Sequence, residues 1–291
     1  MSALSSEYAC PACGGVFPVE RRENHERYWC NQSDDSNDSD ADTTKTDAAA
    51  AARARSAMLA PTFHHATRLA LTHKPLSFVF EEQSVFGSCD TGGALWFSEV
   101  VLAEWLCARQ SGVSQKTVLE LGCGAAPVAG LAAYALGANV VFTDVDSVLP
   151  SARRNIELNA ASMRGGAPVD PRALDLMALD WRSPLPPRIT DLAPFDLIIC
   201  SDCVFRACYH DPLAQTLAAL LVAGAETTEA LVAFQLRDDA DLDFFTRALP
   251  AVGLQGAPVD IAAHLDTLTW PTSLVDAAGL RRHLRLYRIS R

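Results

Sequence analysis

The sequence predicts an α/β protein: a doubly wound, seven-strand, mostly parallel sheet with a small cysteine/histidine unit at its N-terminal end. Three observations carry this. From about residue 94 onward, short apolar runs alternate with amphipathic helical patterns, the order that builds a sheet covered on both faces. A glycine-rich turn, VLELGCGAAP at 118–127, joins the first of those runs to a helical segment. Three cysteines and a histidine crowd into residues 10–30, apart from the rest of the chain. With 291 residues, 49% of them hydrophobic, there is material for one large core and one minor module.

Taken in order, residues 1–30 form the cysteine/histidine unit. Residues 31–50, beginning NQSDDSNDSDADTTKTD, are polar and acidic without apolar periodicity and read as a disordered linker. Residues 51–291 make the main domain with an N-terminal extension. Residues 48–73 are rich in Ala, Leu and Arg, interrupted by Pro61, and predict one or two helices; LSFVFEEQSV then alternates like a strand. In ALWFSEVVLAEWLCA, 94–108, Leu95, Val101, Leu102, Trp105 and Leu106 recur at helical spacing. Strands are expected at 117–121, 139–143, 173–178, 195–200, 230–235, 258–262 and 284–289, with helices around 128–136, 148–161, 212–223 and 242–250. The closing RRHLRLYRISR, with Leu284 and Leu286 alternating with charge, reads with Trp270 as a last hairpin of the sheet.

Composition excludes some partners. The 24 basic against 35 acidic residues leave a formal charge of -11, which opposes unguided binding to nucleic acid or an anionic membrane. MSALSSEYACPACGG lacks a basic start followed by an apolar core, and the longest apolar stretches, such as 217–225, are too short to span a bilayer. A monomer in the cytoplasm or nucleus is expected. Six of the nine cysteines lie scattered through helix- and strand-like segments and read as free thiols.

In the glycine turn, Val118, Leu119 and Leu121 suit a buried strand, while Gly122 and Gly124 permit close approach of backbone to a ligand. A dinucleotide fingerprint wants a final glycine or alanine where Pro127 stands, and Glu120 would repel a pyrophosphate. A carboxylate there favours a cationic cofactor instead. Asp144 lies twenty residues beyond Gly124, where an acid accepts hydrogen bonds from ribose hydroxyls. Asp180 and Trp181 follow the third strand and suit an adenine; Ser201 and Asp202 follow the fourth. One strand-end Asp is usually a turn residue or helix cap. Four such strand ends together are a site.

The connected series ALWFSEVVLAEWL, VLELGCGAAPVAGLAA, VVFTD, ALDW, FDLIICSDCVF and LVAFQLRDDADLDFF resembles the Rossmann-like class I S-adenosylmethionine-dependent methyltransferases, and among them methyltransferase family 16, the protein-lysine methyltransferase group. The likeness runs from about Phe78 to Arg291. It implies that Gly122 and Gly124 approach the methionine part of the cofactor, Asp144 holds the ribose, Trp181 adjoins adenine, and Trp96 borders the cofactor. SDCVF is similar to the family's acid-x-x-Tyr motif, with Asp202 as the acid and Phe205 in place of the tyrosine; Ala126 stands where many members carry a third glycine. SDCVF and WFSEVVLAEWL resemble the calmodulin-lysine methyltransferase branch.

The implied chemistry is methyl transfer to a protein lysine. An amine with a pKa of about 10.4 must lose its proton before attack, so a desolvated channel is expected. Asp202 is expected to orient or accept from the amine, with Phe205 and Trp96 walling the channel. A small-molecule amine as acceptor, or an adaptor without strong activity, stays open at this point.

The N-terminal Cys10, Cys13, His25 and Cys30 follow C-x2-C-x11-H-x4-C, three thiolates and an imidazole, a closed tetrahedral set suited to structural zinc. The segment resembles C2HC ubiquitin-binding fingers, which implies ubiquitin as a candidate partner. Arg21, Arg22 and Arg27 are offset by Glu20, Glu23 and Glu26, so no basic face for nucleic acid emerges. The remaining histidines, His64, His65, His73, His210, His264 and His283, show no metal spacing.

Overall fold

The computed structural model describes residues 7–9, 16–18, 63–84, 91–109, 112–163, 173–224, 227–268 and 281–291. The chain divides into two units, residues 1–63 with 84–91, and residues 64–83 with 92–291. In the first, β1 (Glu7–Ala9) and β2 (Val16–Pro18) pair antiparallel, Tyr8 opposite Phe17. These strands bracket the Cys10–Cys13 pair in sequence; the four expected metal ligands lie outside the described residues.

The second unit holds the main sheet. β5 (Thr117–Leu121), β6 (Asn139–Asp144), β7 (Leu174–Ala178), β8 (Leu197–Ser201) and β9 (Glu229–Gln235) run parallel, and β10 (Gln255–Pro258) and β11 (Leu284–Ser290) close one edge antiparallel. The spatial order is β10-β11-β9-β8-β5-β6-β7. Strand succession runs one way from β5 to β7 and the other way from β8 to β9. The reversal at β5 opens a crevice at the carboxyl ends of β5 and β8, where doubly wound sheets bind ligands.

Both faces are covered. Side chains alternate along β5, so Val118 enters one apolar cluster and Leu119 and Leu121 the other. The first face carries α1 (Phe97–Ala108), α2 (Val128–Ala135) and α3 (Leu149–Ala160). The second packs α4 (Pro187–Leu192) and α5 (Ala207–Ala223) through Ile189, Leu213 and Leu217. A mixed helical run of a 3-10 turn (Asp239–Leu242), a π turn (Phe244–Ala248) and α6 (Leu249–Ala251) joins them, and α7 (Ala262–Thr267) follows β10.

Three expectations need correction. Residues 63–70 are not helical: β3 (Phe63–Ala70) pairs with β4 (Ser77–Ser84) as a separate hairpin. The reason is period two, with Leu69 and Leu71 buried between exposed Arg68, Ala70 and Thr72. The strand expected at 258–262 lies earlier, because pairing of Gln255 with Ser290 and Pro258 with Tyr287 ends the ladder at Pro258. Helix α5 starts at Ala207 rather than Pro212 and carries that proline inside it. Among the described residues no helix is long and apolar enough to cross a membrane.

Candidate active site

The glycine turn is the centre of the crevice. Gly122 and Gly124 both hold left-handed backbone, φ +63° and +62°, which lets the chain leave β5 without side chains in the way. A Cβ on Gly122 would meet Cys203 Sγ at 2.6 Å and Trp181 Cζ2 at 3.0 Å, so the indole is laid against this glycine. The turn is tied across to β6: Gly124 N–H donates to Asp144 Oδ2 at 2.8 Å and Cys123 N–H to Thr143 O at 3.0 Å. Asp144 Oδ1 accepts from Val145 N–H at 2.7 Å. The expected cofactor acid is thereby held in place and remains half-buried at its strand end.

Asp180 sits at the end of β7, where both oxygens are bridged by Arg182, at 3.0 and 2.8 Å. That guanidinium holds its carboxyl below the ordinary range. Trp181 touches Tyr209 edge-on at 6.2 Å, and Tyr209 stacks on Phe205 at 5.6 Å. The three half-buried rings form a continuous aromatic wall from the glycine turn to the loop after β8. Phe205 therefore lies on the wall rather than in the core.

Asp202 stands in left-handed backbone, φ +51°, unusual for a residue other than glycine. Its Oδ1 accepts from Arg237 Nη2 at 2.8 Å and from Gln235 N–H at 3.1 Å, while Ser98 Oγ donates to Oδ2. Both charges are mostly buried, 12% and 3% exposed at the side chain. The Arg237 guanidinium also lies 5.7 Å from the ring centre of Trp96, which caps α1. Asp202, expected to orient or accept from the amine, carries the Arg237 guanidinium on Oδ1.

Glu120 lies enclosed between α1 and α2. It is 1% exposed; its Oε1 accepts from Gly130 N–H at 3.3 Å, and its carboxyl meets that of Glu99. Glu99 of α1, equally enclosed, accepts from the neighbouring Ala129 N–H at 2.8 Å. Burial, then the charge of Glu99, push the Glu120 carboxyl well above 4.5; burial raises Glu99 as well. The two carboxyls share a hydrogen bond, an arrangement that favours one proton between them. Ser201, also buried, bonds the Glu99 carboxyl through its side chain.

This donor set fits an adenosyl cofactor: two side-chain-free turn residues, an acid at the β6 end and an indole against the turn. Sequence reasoning missed Glu99, Ser98, Tyr209 and Arg237. Only Tyr209 carried a signal, its spacing of four from Phe205 at a helix start. No group of three or more metal-ligating side chains occurs among the described residues.

A family model described as lysine methyltransferase matches residues 77–250. The chain belongs to this family. A C2HC zinc finger model matches residues 2–31 of this family member. Among curated proteins it is 33% identical over 162 residues to a calmodulin-lysine N-methyltransferase of Arabidopsis thaliana, covering 55% of this chain and 50% of that protein. It is 29% identical over 191 residues to a diaminohydroxyphosphoribosylamino-pyrimidine deaminase of Schizosaccharomyces pombe, covering 62% and 44%. To protein N-lysine methyltransferase METTL21A of Danio rerio it is 30% identical over 169 residues, covering 57% and 71%. The chain thus spans about half the length of the first two relatives.

Proposed function

We propose that the chain is an S-adenosylmethionine-dependent protein-lysine N-methyltransferase. The observation that carries this reading is the backbone cradle of Gly122 and Gly124, bonded across to Asp144 and packed under Trp181, at the sheet's switch point. Family membership and two protein-lysine methyltransferase relatives support the acceptor class. The cofactor, when bound, supplies a methyl group on a sulfonium, which already has a good leaving group. What remains for the protein is placement and water exclusion. Gly122 and Gly124 admit the methionine part, Asp144 holds the ribose, and Trp181 covers the adenine. Asp180 orients that edge through Arg182.

Phe205, Tyr209 and Trp181 offer an apolar wall along which a lysine chain lies. Removing water there disfavours the ammonium and favours the free amine. An aromatic face also attracts the incoming cation, a contribution of about 0.5–2 kcal/mol. Asp202 acts as a positioning residue: paired with Arg237 and bonded to Ser98, it fixes the loop after β8 against α1.

The first unit is proposed to hold one zinc through Cys10, Cys13, His25 and Cys30 and to recruit protein partners, ubiquitin among them. The chain is proposed to act as a monomer, and a reducing compartment, cytoplasm or nucleus, fits the five free thiols among the described residues. The test is incubation with methyl-labelled cofactor and lysate, with and without chemical blocking of lysines. Label on protein that disappears on blocking is expected; label on small molecules, or none at all, sinks the reading.

A further inference from the structure

Two asparagines one helical turn apart on α3 face the edge of β4. Asn159 accepts from Val79 N–H at 2.8 Å and donates to Val79 O at 2.9 Å. Asn155 does the same to Glu81, accepting at 2.8 Å and donating at 3.0 Å. Residues four apart on a helix lie on one face, and residues two apart on a strand share an edge, so the pair copies a strand's hydrogen-bonding pattern with side-chain amides. Both asparagines are at most 3% exposed. Each also uses its second amide hydrogen, but differently. Asn159 turns it back on its own helix, to Asn155 O at 2.7 Å. Asn155 spends it on Ala125 O, at 2.7 Å, inside the glycine turn.

The geometry points to Asn155 as a positioning residue that couples docking of the β3–β4 hairpin to the shape of the cofactor turn. A single amide bonds hairpin and turn simultaneously, so release of Glu81 frees Asn155 to rotate away from Ala125. The turn is held from its other side by Ala125 N–H donating to Gly92 O at 2.7 Å and by Asp144 on Gly124, so loss of the Asn155 bond leaves it attached but less confined. The hairpin keeps independent anchors, including the buried carboxylate of Glu104, which accepts from His73 N–H at 2.9 Å and from Thr72 N–H. Coupling of this kind is reciprocal: a ligand that orders the turn must tighten the hairpin by the same factor.

The inference rests on the cofactor reading above, and calorimetric binding of S-adenosylmethionine separates the two. Asn155→Ala is expected to weaken cofactor binding about tenfold. Asn159→Ala removes as many hairpin bonds but spares the turn, and binding is expected to stay within about twofold of wild type. Both variants should melt at lower temperature. A second measurement needs no variant: in wild-type protein, saturating cofactor is expected to slow hydrogen exchange at the Glu81 amide, on a hairpin outside the glycine crevice. Equal binding by wild type and Asn155→Ala, equal weakening in both variants, or unchanged Glu81 exchange each overturns the coupling. Absence of cofactor binding to wild type overturns the cofactor reading itself.

Discussion

At the scale of single residues, the site depends on positions whose neighbours are fixed by the fold. Asp202 and Arg237 are 35 residues apart, and Ser98 is 104 from Asp202. Arg237→Met would leave a buried carboxylate with hydrogen bonds but no counter-charge, at a cost of about 3 kcal/mol measured by chemical denaturation. An unchanged midpoint would mean the pair is solvated in practice. Gly122→Ala is expected to cost about 2 kcal/mol, since alanine must adopt a positive φ and its Cβ meets Cys203 and Trp181. Cofactor affinity should fall with it, read by calorimetry. The left-handed turn at Gly122 and Gly124 and the strand-end places of Asp144 and Trp181 were legible because residue type and local spacing report backbone freedom and strand ends. Arg237 and Glu99 were not, because their roles arise from side chains brought together across the sheet.

At the scale of elements, helix α2 shows how packing overrides propensity. Gly130 to alanine in an exposed helix would gain about 1 kcal/mol. Here a Cβ would lie 2.3 Å from Glu120 Oε2 and from Phe142 Cε1, so the substitution is expected to lose about 2 kcal/mol by thermal denaturation. The Glu99–Glu120 pair that α1 and β5 bring to this helix predicts a pH effect with a definite sign. Both carboxyls are raised in the folded state, so the folded protein holds more protons than the unfolded chain above 4.5. Their contribution is full below that pH and is lost as pH rises through the raised values. Asp202 also faces Glu99, and its charge acts in the same direction. Glu120→Gln should therefore gain on wild type as pH increases; parallel pH profiles from paired denaturation curves would refute the shared proton. The five parallel strands were legible from apolar runs between turn residues, nearly to the residue. Strand β3 was not, because Ala, Leu and Arg in FHHATRLA favour helix, and only pairing with β4 reveals the alternation.

At the scale of the whole molecule, each unit has its own chemistry to test. Native protein is expected to carry one zinc per chain by elemental analysis. Cys13→Ser should remove it while cofactor affinity stays unchanged; full zinc in that variant would place the ion elsewhere. Sheet architecture was legible because alternating strand and helix patterns dictate parallel pairing. The order of β10 and β11 at the edge was not, since it depends on which partner the last strand chooses. That choice has a consequence during synthesis. Strand β11 inserts between β9 and β10, both of which precede it in the chain. A nascent polypeptide emerging from the ribosome must hold the apolar edge of β9, Ala230 to Phe234, open until residues 284–290 arrive. In that interval the growing chain offers an unpaired strand, the feature that chaperones capture and that truncated products use to aggregate.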